Sequence, residues 1–195
     1  MAGYRGKRAF DVALVLITAP VWVPAAGVLA LLVLARLGAP VFFTQSRPGR
    51  HGQPFTLVKF RTMLMSPMPD AERLTPLGAW LRAWSLDELP ELLNVLRGNM
   101  SLVGPRPLLP QYLPLYSERH RKRHLVRPGI TGLAQASGRN ALRWSDKFDL
   151  DVEYVERCSF RLDVAILWRT LRSVLRREGI SAAGEATMPE FTGYE

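Results

Sequence analysis

The stretch Ser85-Leu86-Asp87-Glu88-Leu89-Pro90-Glu91-Leu92-Leu93-Asn94-Val95-Leu96-Arg97-Gly98 decides how this chain is read. Leu86, Leu89, Leu92, Leu93 and Leu96 recur at helical spacing, with Arg97 in the last turn and Gly98 just past it. The spacing therefore predicts a short amphipathic helix. Two starts fit: Ser85 with Glu88 makes a capping-box pattern but places Pro90 late, whereas a start at Asp87 keeps Pro90 in the first turn, where its missing N–H has no partner to lose. Either start puts Asp87 and Glu88 at a helix N-terminus, which favours negative charge and should keep a carboxylate ionised. An ionised aspartate there can act as a nucleophile or a metal ligand; it can equally be an ordinary cap, with Glu88 completing the box.

On the N-terminal side, Leu77, Trp80, Leu81 and Trp84 fall on one helical stripe with Arg82 off it. Such a helix suits the headgroup layer of a bilayer or a packed core, and a neighbouring apolar run favours the bilayer. Residues 63–76, with Pro67, Pro69 and Pro76, read as a loop. On the C-terminal side, Gly104-Pro105-Arg106-Pro107 is a rigid extended strap, because proline fixes its own φ and restricts the residue before it. It presents Arg106 for a bidentate grip on phosphate. Arg127-Pro128-Gly129-Ile130-Thr131-Gly132-Leu133-Ala134-Gln135 forms a second stiff loop, whose glycines allow backbone to approach a ligand.

Further out, Val12–Ala35 contains no charged residue and has only Thr18 as a polar side chain, so it is long enough to enter or cross a bilayer. Pro20 and Pro24 should kink or break it. Basic residues flank both ends, with Arg5, Lys7 and Arg8 before and Arg36, Arg47 and Arg50 after, so positive charge sets no direction for a straight crossing. A helix that dips in and returns, and a tilted span with a kink, both fit. Val41–Thr44 and Phe55–Phe60 read as extended segments joined by Pro48-Gly49-Arg50-His51-Gly52, with Lys59 and Arg61 beside Phe60. Glu118–His124 reads as a solvated basic helix, its two histidines at the surface with His51. Leu162–Arg177 reads as a packing helix with a basic back, and Gly179–Glu195 as an irregular tail.

A chain of 195 residues suits one domain, and a formal charge of +9 calls for an acidic partner without choosing among nucleic acid, anionic lipid and a phosphorylated small molecule. A nucleic-acid binder should interleave basic residues with exposed aromatics, whereas the aromatics here lie on apolar stripes. Cys158, the single cysteine, excludes an internal disulfide and agrees with a reducing compartment.

As a set, these segments are familiar. Lys7-Arg8 with Asp11, the proline-broken apolar run, Phe43-Thr44-Gln45, Arg47-Pro48-Gly49, Lys59-Phe60-Arg61-Thr62-Met63, Ser85–Pro90, Gly104–Pro107, Arg127–Gln135, Gly138-Arg139-Asn140 and the tail around Gly179-Ile180-Ser181 follow one another in an order and spacing that resembles the bacterial sugar transferase family. The resemblance is to its small monotopic phosphoglycosyl transferases, most closely the PglC type. It implies a fold that is mainly α with a few short β or extended segments: a re-entrant membrane helix over residues 1–38, interfacial amphipathic helices, and a small cytoplasmic globular part over residues 39–195 that forms one domain with the anchor. It implies that Asp87 attacks the β-phosphate of a UDP-sugar, expels UMP and forms a covalent phosphosugar intermediate, which undecaprenyl phosphate then resolves. Asp87 and Glu88 would be the catalytic dyad, Asp87 would also bind the Mg²⁺ cofactor, and Lys59, Arg106, Gln135 and Arg139 would bind substrate. The donor implied is UDP-N,N′-diacetylbacillosamine, with UDP-galactose, UDP-glucose or a UDP-N-acetylhexosamine as alternatives for capsule, O-antigen or exopolysaccharide assembly. The enzyme would sit in the bacterial inner membrane with its site on the cytoplasmic face; the resemblance allows a homodimer and involves no nucleic acid. Two departures stand out. Ala19 precedes Pro20 where relatives commonly carry serine, and Asn99 stands where they usually carry aspartate.

Overall fold

The chain begins with two helices that meet at Thr18, α1 (Lys7–Ile17) and α2 (Ala19–Leu37), in a computed structural model that describes residues 3–138, 142–176 and 190–193. The prolines do not mark the break. Pro20 lies in the first turn of α2, where no N–H is missed, and Pro24 is carried inside the helix, so the break falls just upstream at Thr18. Side chains reinforce the backbone there: Leu14 O, which accepts from Thr18 N at 3.1 Å, also accepts from Thr18 Oγ1 at 2.7 Å, and Trp22 Nε1 donates to Val15 O at 2.9 Å. The hydroxyl that Ala19 lacks is thus supplied one residue earlier.

α2 is long and apolar enough to cross a membrane, with a mean hydropathy of 1.9. Leu29 and Val33 bury against Phe60 and Leu81, while Val21, Val28 and Leu31 remain exposed. α1 is tied into the rest of the chain by three groups. Buried Asp11 accepts from Ser101 Oγ at 2.7 Å, Lys7 pairs with Asp163 at 2.6 Å, and Arg8 donates to the carbonyls of Val95 and Leu96.

The extended segments pair as an antiparallel hairpin, β1 (Phe42–Pro48) with β2 (Pro54–Phe60), Phe42 opposite Phe60 and Pro48 opposite Pro54. The loop after it holds a single helical turn at Asp70–Arg73. Helix α3 (Pro76–Ala83) then forms as the stripe predicts, with Pro76 in its first turn and Thr75 Oγ1 accepting from Gly78 N at 3.0 Å. Leu81 is buried and Trp80 exposed.

The deciding stretch is not one helix. Ser85 adopts a left-handed conformation (φ 54°, ψ 24°) and caps nothing, so the Ser85–Glu88 box does not form. A 3₁₀ turn covers Leu86–Glu88, and helix α4 (Glu91–Arg97) starts only after Pro90. Gly98 ends it left-handed, as the sequence indicates. Leu86 and Leu89 pack with Leu81 and Phe60, pinning the turn on both sides of Asp87 and Glu88. Buried Asn94 joins α4 to β2, accepting from Val58 N at 3.2 Å and donating to Thr56 O at 2.7 Å.

Strands β3 (Ser101–Val103) and β4 (Gly129–Thr131) pair in parallel. Their glycines serve each other rather than a ligand: a Cβ on Gly129 would lie 2.1 Å from Gly104 N. Gly132–Gln135 continues into a helical turn, Leu133–Ala136. Two long helices close the core, α5 (Trp144–Arg157), which the sequence patterns did not reveal, and α6 (Phe160–Arg176). Tyr154 OH bridges Val103 O at 3.0 Å and buried Asp163 at 2.7 Å. The main core joins Val15, Leu57, Val95, Met100, Val103, Tyr154 and Ile166.

Two expectations are overturned here. The basic run is not a solvated helix but two short turns, Glu118–Arg121 and Lys122–Leu125, in which His120 and Arg123 are buried. His124 is half-buried and its imidazole is pushed down to about 4 by burial and by Arg123. Their neighbours are aromatic, Tyr116 and Phe148, so burial is the stable arrangement for their apolar stems. Likewise, α6 is not simply a packing helix. Phe160, Val164, Trp168, Leu171 and Leu175 form an exposed apolar stripe, next to the stripe of Arg161, Arg169, Arg172 and Arg176. Of the tail, residues 179–189 lie outside the described residues.

Candidate active site

The 3₁₀ turn carries Asp87 and Glu88 to the wall of a cleft of about 930 Å³, bordered by β1, β2, the Arg61–Met65 segment, the strap and the start of α5. Five of the residues singled out from the sequence meet there: Lys59, Asp87, Glu88, Arg106 and Gln135. Arg139 lies outside the described residues. Asn99 is not part of the lining.

Glu88 organises the cations. Its Oε1 accepts from Lys59 Nζ at 2.8 Å and from Arg106 Nη2 at 2.7 Å. Burial opposes its ionisation, but Arg106 and Lys59 outweigh that and hold the carboxyl well below the usual range. Arg106 keeps 43% of its side chain exposed. Lys59 also pairs with Glu91, at 3.0 Å. Glu91, 2% exposed, is pushed up to about 7, first by burial and then by Glu88.

Asp87 differs from both glutamates. Among the described residues it has neither a hydrogen bond nor an ion pair. The sequence places it at a helix N-terminus that would keep it ionised, yet α4 begins four residues later, and burial followed by the charge of Glu88 pushes its carboxyl upward. Lys59, Arg106 and Arg82 pull the other way. Its ionisation depends on side-chain cations, not on the helix dipole.

The sequence reading missed several groups that shape the cleft. Arg82 reaches it from α3, fixed by Nε donating to Thr62 Oγ1 at 3.1 Å; its place off the apolar stripe was the only signal. Arg47, from β1, donates to Gln45 Oε1 at 2.6 Å. Arg123, Lys147 and Asp151 line the far side, drawn from segments read as solvated or left unassigned. Gln135 brings an amide whose buried nitrogen and oxygen have no hydrogen-bond partner among the described residues. Among the described residues, no group of three or more His, Cys, Asp or Glu side chains is arranged to hold a metal ion.

One carboxylate without a hydrogen-bond or ion-pair partner among the described residues thus stands in this cleft among two glutamates and several lysine and arginine side chains. The chain belongs to the bacterial sugar transferase family, whose model matches residues 3–177. Among its relatives is an uncharacterized sugar transferase, EpsL, of Bacillus subtilis (strain 168), 55% identical over 83% of each chain. The undecaprenyl-phosphate galactose phosphotransferase of Salmonella typhimurium is 38% identical over 75% of this chain. The undecaprenyl-phosphate glucose phosphotransferase of Komagataeibacter xylinus is 39% identical over 85% of it. The match spans 36% and 35% of those two longer proteins.

Proposed function

We propose that this cleft moves a sugar 1-phosphate from a UDP-sugar to undecaprenyl phosphate, with Asp87 as the nucleophile. The observation that carries the reading is the contrast among the acids: Glu88 and Glu91 are committed to Lys59, and Glu88 also to Arg106, whereas Asp87 is left open at the cleft. An Asp87 carboxylate oxygen attacks the sugar-bearing β-phosphorus, the bond from that phosphorus to the bridging oxygen breaks, and UMP leaves with the electron pair. A phosphate oxygen of undecaprenyl phosphate then attacks the same phosphorus and returns Asp87 as carboxylate. Lys59 and Arg106, gathered by Glu88, hold the transferring phosphate where charge concentrates. Gln135 and Arg139 complete substrate binding.

Mg²⁺ is ordinarily held by one or two carboxylates together with substrate phosphates. The residues present fit that pattern, because Asp87 offers an uncommitted carboxylate and the diphosphate would bring the remaining oxygens. Bound there, the ion would neutralise the diphosphate and stabilise the departing UMP. The anchor is read as re-entrant, breaking at Thr18, and the exposed stripe of α6 rests in the cytoplasmic leaflet interface with its arginines toward lipid phosphates. Residues 39–195 form one domain with that anchor.

Two sources supply the donors to test: the PglC-type resemblance brings UDP-N,N′-diacetylbacillosamine, and the relatives' names bring UDP-galactose and UDP-glucose. The test is UMP release by detergent-solubilised protein with undecaprenyl phosphate and each of these donors, with and without Mg²⁺, beside Asp87→Asn. Turnover of one donor that needs Mg²⁺ and disappears in the variant is the expected result. Turnover that survives in Asp87→Asn would remove Asp87 as nucleophile.

A further inference from the structure

The strap that presents Arg106 cannot hold itself in place. Pro105 and Pro107 donate no backbone hydrogen bonds, so its position depends on who takes its carbonyls. Three outside groups take them in succession: Gly129 N donates to Pro105 O at 3.0 Å, Arg123 Nη2 to Arg106 O at 2.7 Å, and Arg47 Nη1 to Pro107 O at 3.3 Å. The middle contact fixes the backbone of the residue whose side chain reaches Glu88.

Arg123 is built for that contact. It is 2% exposed, its Nε and Nη2 pair with Asp151 Oδ2 at 3.1 and 2.7 Å, and its Nη1 donates to Tyr116 OH at 3.0 Å. Its guanidinium also lies over the rings of Tyr116 and Phe148. Asp151 on α5 neutralises the charge, so a rigid five-donor fork can stand behind Arg106 in the core without adding uncompensated repulsion.

We propose that Arg123, held by Asp151 and Tyr116, is a positioning residue that sets the reach of Arg106 toward the transferring phosphate. This rests on the reading of Arg106 given above. Its prediction is a coupling rather than a simple loss. Because the contact is to a backbone oxygen, a residue that cannot span Asp151, Tyr116 and the strap at once lets the strap drift, and an ångström of misplacement at a reacting centre is worth on the order of 10²-fold in rate.

Removing one partner alone leaves a buried charge unpaired and risks unfolding, so the main variant is the charge-free pair Arg123→Met with Asp151→Leu, a replacement that buried ion pairs often tolerate. Arg123→Lys is the second variant. Each is made in the parent and in Arg106→Ala, and kcat and KM for UMP release are measured with UDP-galactose, UDP-glucose and UDP-N,N′-diacetylbacillosamine at saturating undecaprenyl phosphate, together with thermal unfolding. The expected result is a kcat/KM loss on the order of 10²-fold in the parent that shrinks to less than about twofold once Arg106 is gone, while the change in melting temperature is the same in both backgrounds. Equal fold losses in both backgrounds would overturn the positioning role and leave Arg106 in its place. An Arg106→Ala variant as active as the parent would overturn both.

Discussion

Glu91→Gln separates charge from shape at the buried carboxyl behind the cleft. In the folded protein Glu91 is 2% exposed and its carboxyl is pushed up to about 7, by burial, then Glu88, with Lys59 opposing. Unfolded, it titrates near the ordinary 4.5. The folded state therefore binds the proton more tightly. Its contribution to stability is fully present below 4.5 and is lost as pH rises through about 7. The difference corresponds to about 3 kcal/mol. Glutamine keeps an oxygen for Lys59 and cannot ionise. At about pH 5 the variant should unfold close to the parent, and at about pH 8 it should be more stable by that amount. For a chain of this size the gain is a melting temperature roughly 6–12 °C higher. Thermal unfolding of both proteins in the same detergent at the two pH values, followed by tryptophan fluorescence, measures it. The same offset at both pH values would refute the assignment of this titration to Glu91.

Substitutions at three further positions probe the frame of the fold. Gly129→Ala places a Cβ 2.1 Å from Gly104 N and 2.4 Å from Thr131 O, both backbone, so β3 and β4 must separate; a loss of about 3 kcal/mol or more is expected as a lower melting temperature or failure to accumulate. Thr18→Val removes the 2.7 Å bond to Leu14 O and should lower stability by about 1 kcal/mol, whereas Thr18→Ser should not, which paired thermal melts decide. Ser85 holds φ at 54°: Ser85→Gly should leave stability within about 0.5 kcal/mol, since relief of strain is offset by backbone entropy, and Ser85→Val should cost about 2 kcal/mol by chemical denaturation.

Much of the frame was legible because local rules suffice for it. The two strands of the hairpin, the apolar stripe of α3 and the stop at Gly98 each follow from a few adjacent residues, whereas Pro76, read as loop, is the first residue of α3. The failures have a common cause, that tertiary partners decide them. Ser85 looked like a cap because Glu88 follows at the right spacing, but Glu88 is drawn away to Lys59 and Arg106, from β2 and the strap. Arg123 and His120 looked solvated inside a run of basic residues, and the rings of Tyr116 and Phe148, with Asp151 paired to Arg123 and Asp149 to His120, make a buried place for them. The prolines were read as kinking or breaking the apolar run; the run does break, but at Thr18, with Pro20 accommodated in the first turn that follows, Pro24 carried inside α2 and a threonine hydroxyl bonding across the break. Five of the six site residues were brought to one cleft or its wall, since a motif's order along the chain survives whatever its local conformation.

Charge is where reading the sequence and reading the structure differ most. Counting signs along Ser85–Glu91 gives three carboxylates and no cation, and a helix dipole was the only stabiliser in view. Folding brings Lys59 and Arg106 to those carboxylates, and they are divided unequally. Glu88 takes a share of both and is held ionised; Glu91 shares Lys59 and, being buried, holds its proton up to about neutrality; Asp87 is left with distant help from Lys59, Arg106 and Arg82. A group in that last position is the one whose charge a ligand can change. An incoming cation would favour its ionised form, and on the proposed reading an incoming electrophilic phosphorus would find an oxygen not already accepting from a neighbour. The same two cations that make Glu88 a strong acid therefore leave Asp87 available, and the difference between adjacent residues of one turn is produced by the strap and the hairpin, not by the turn itself.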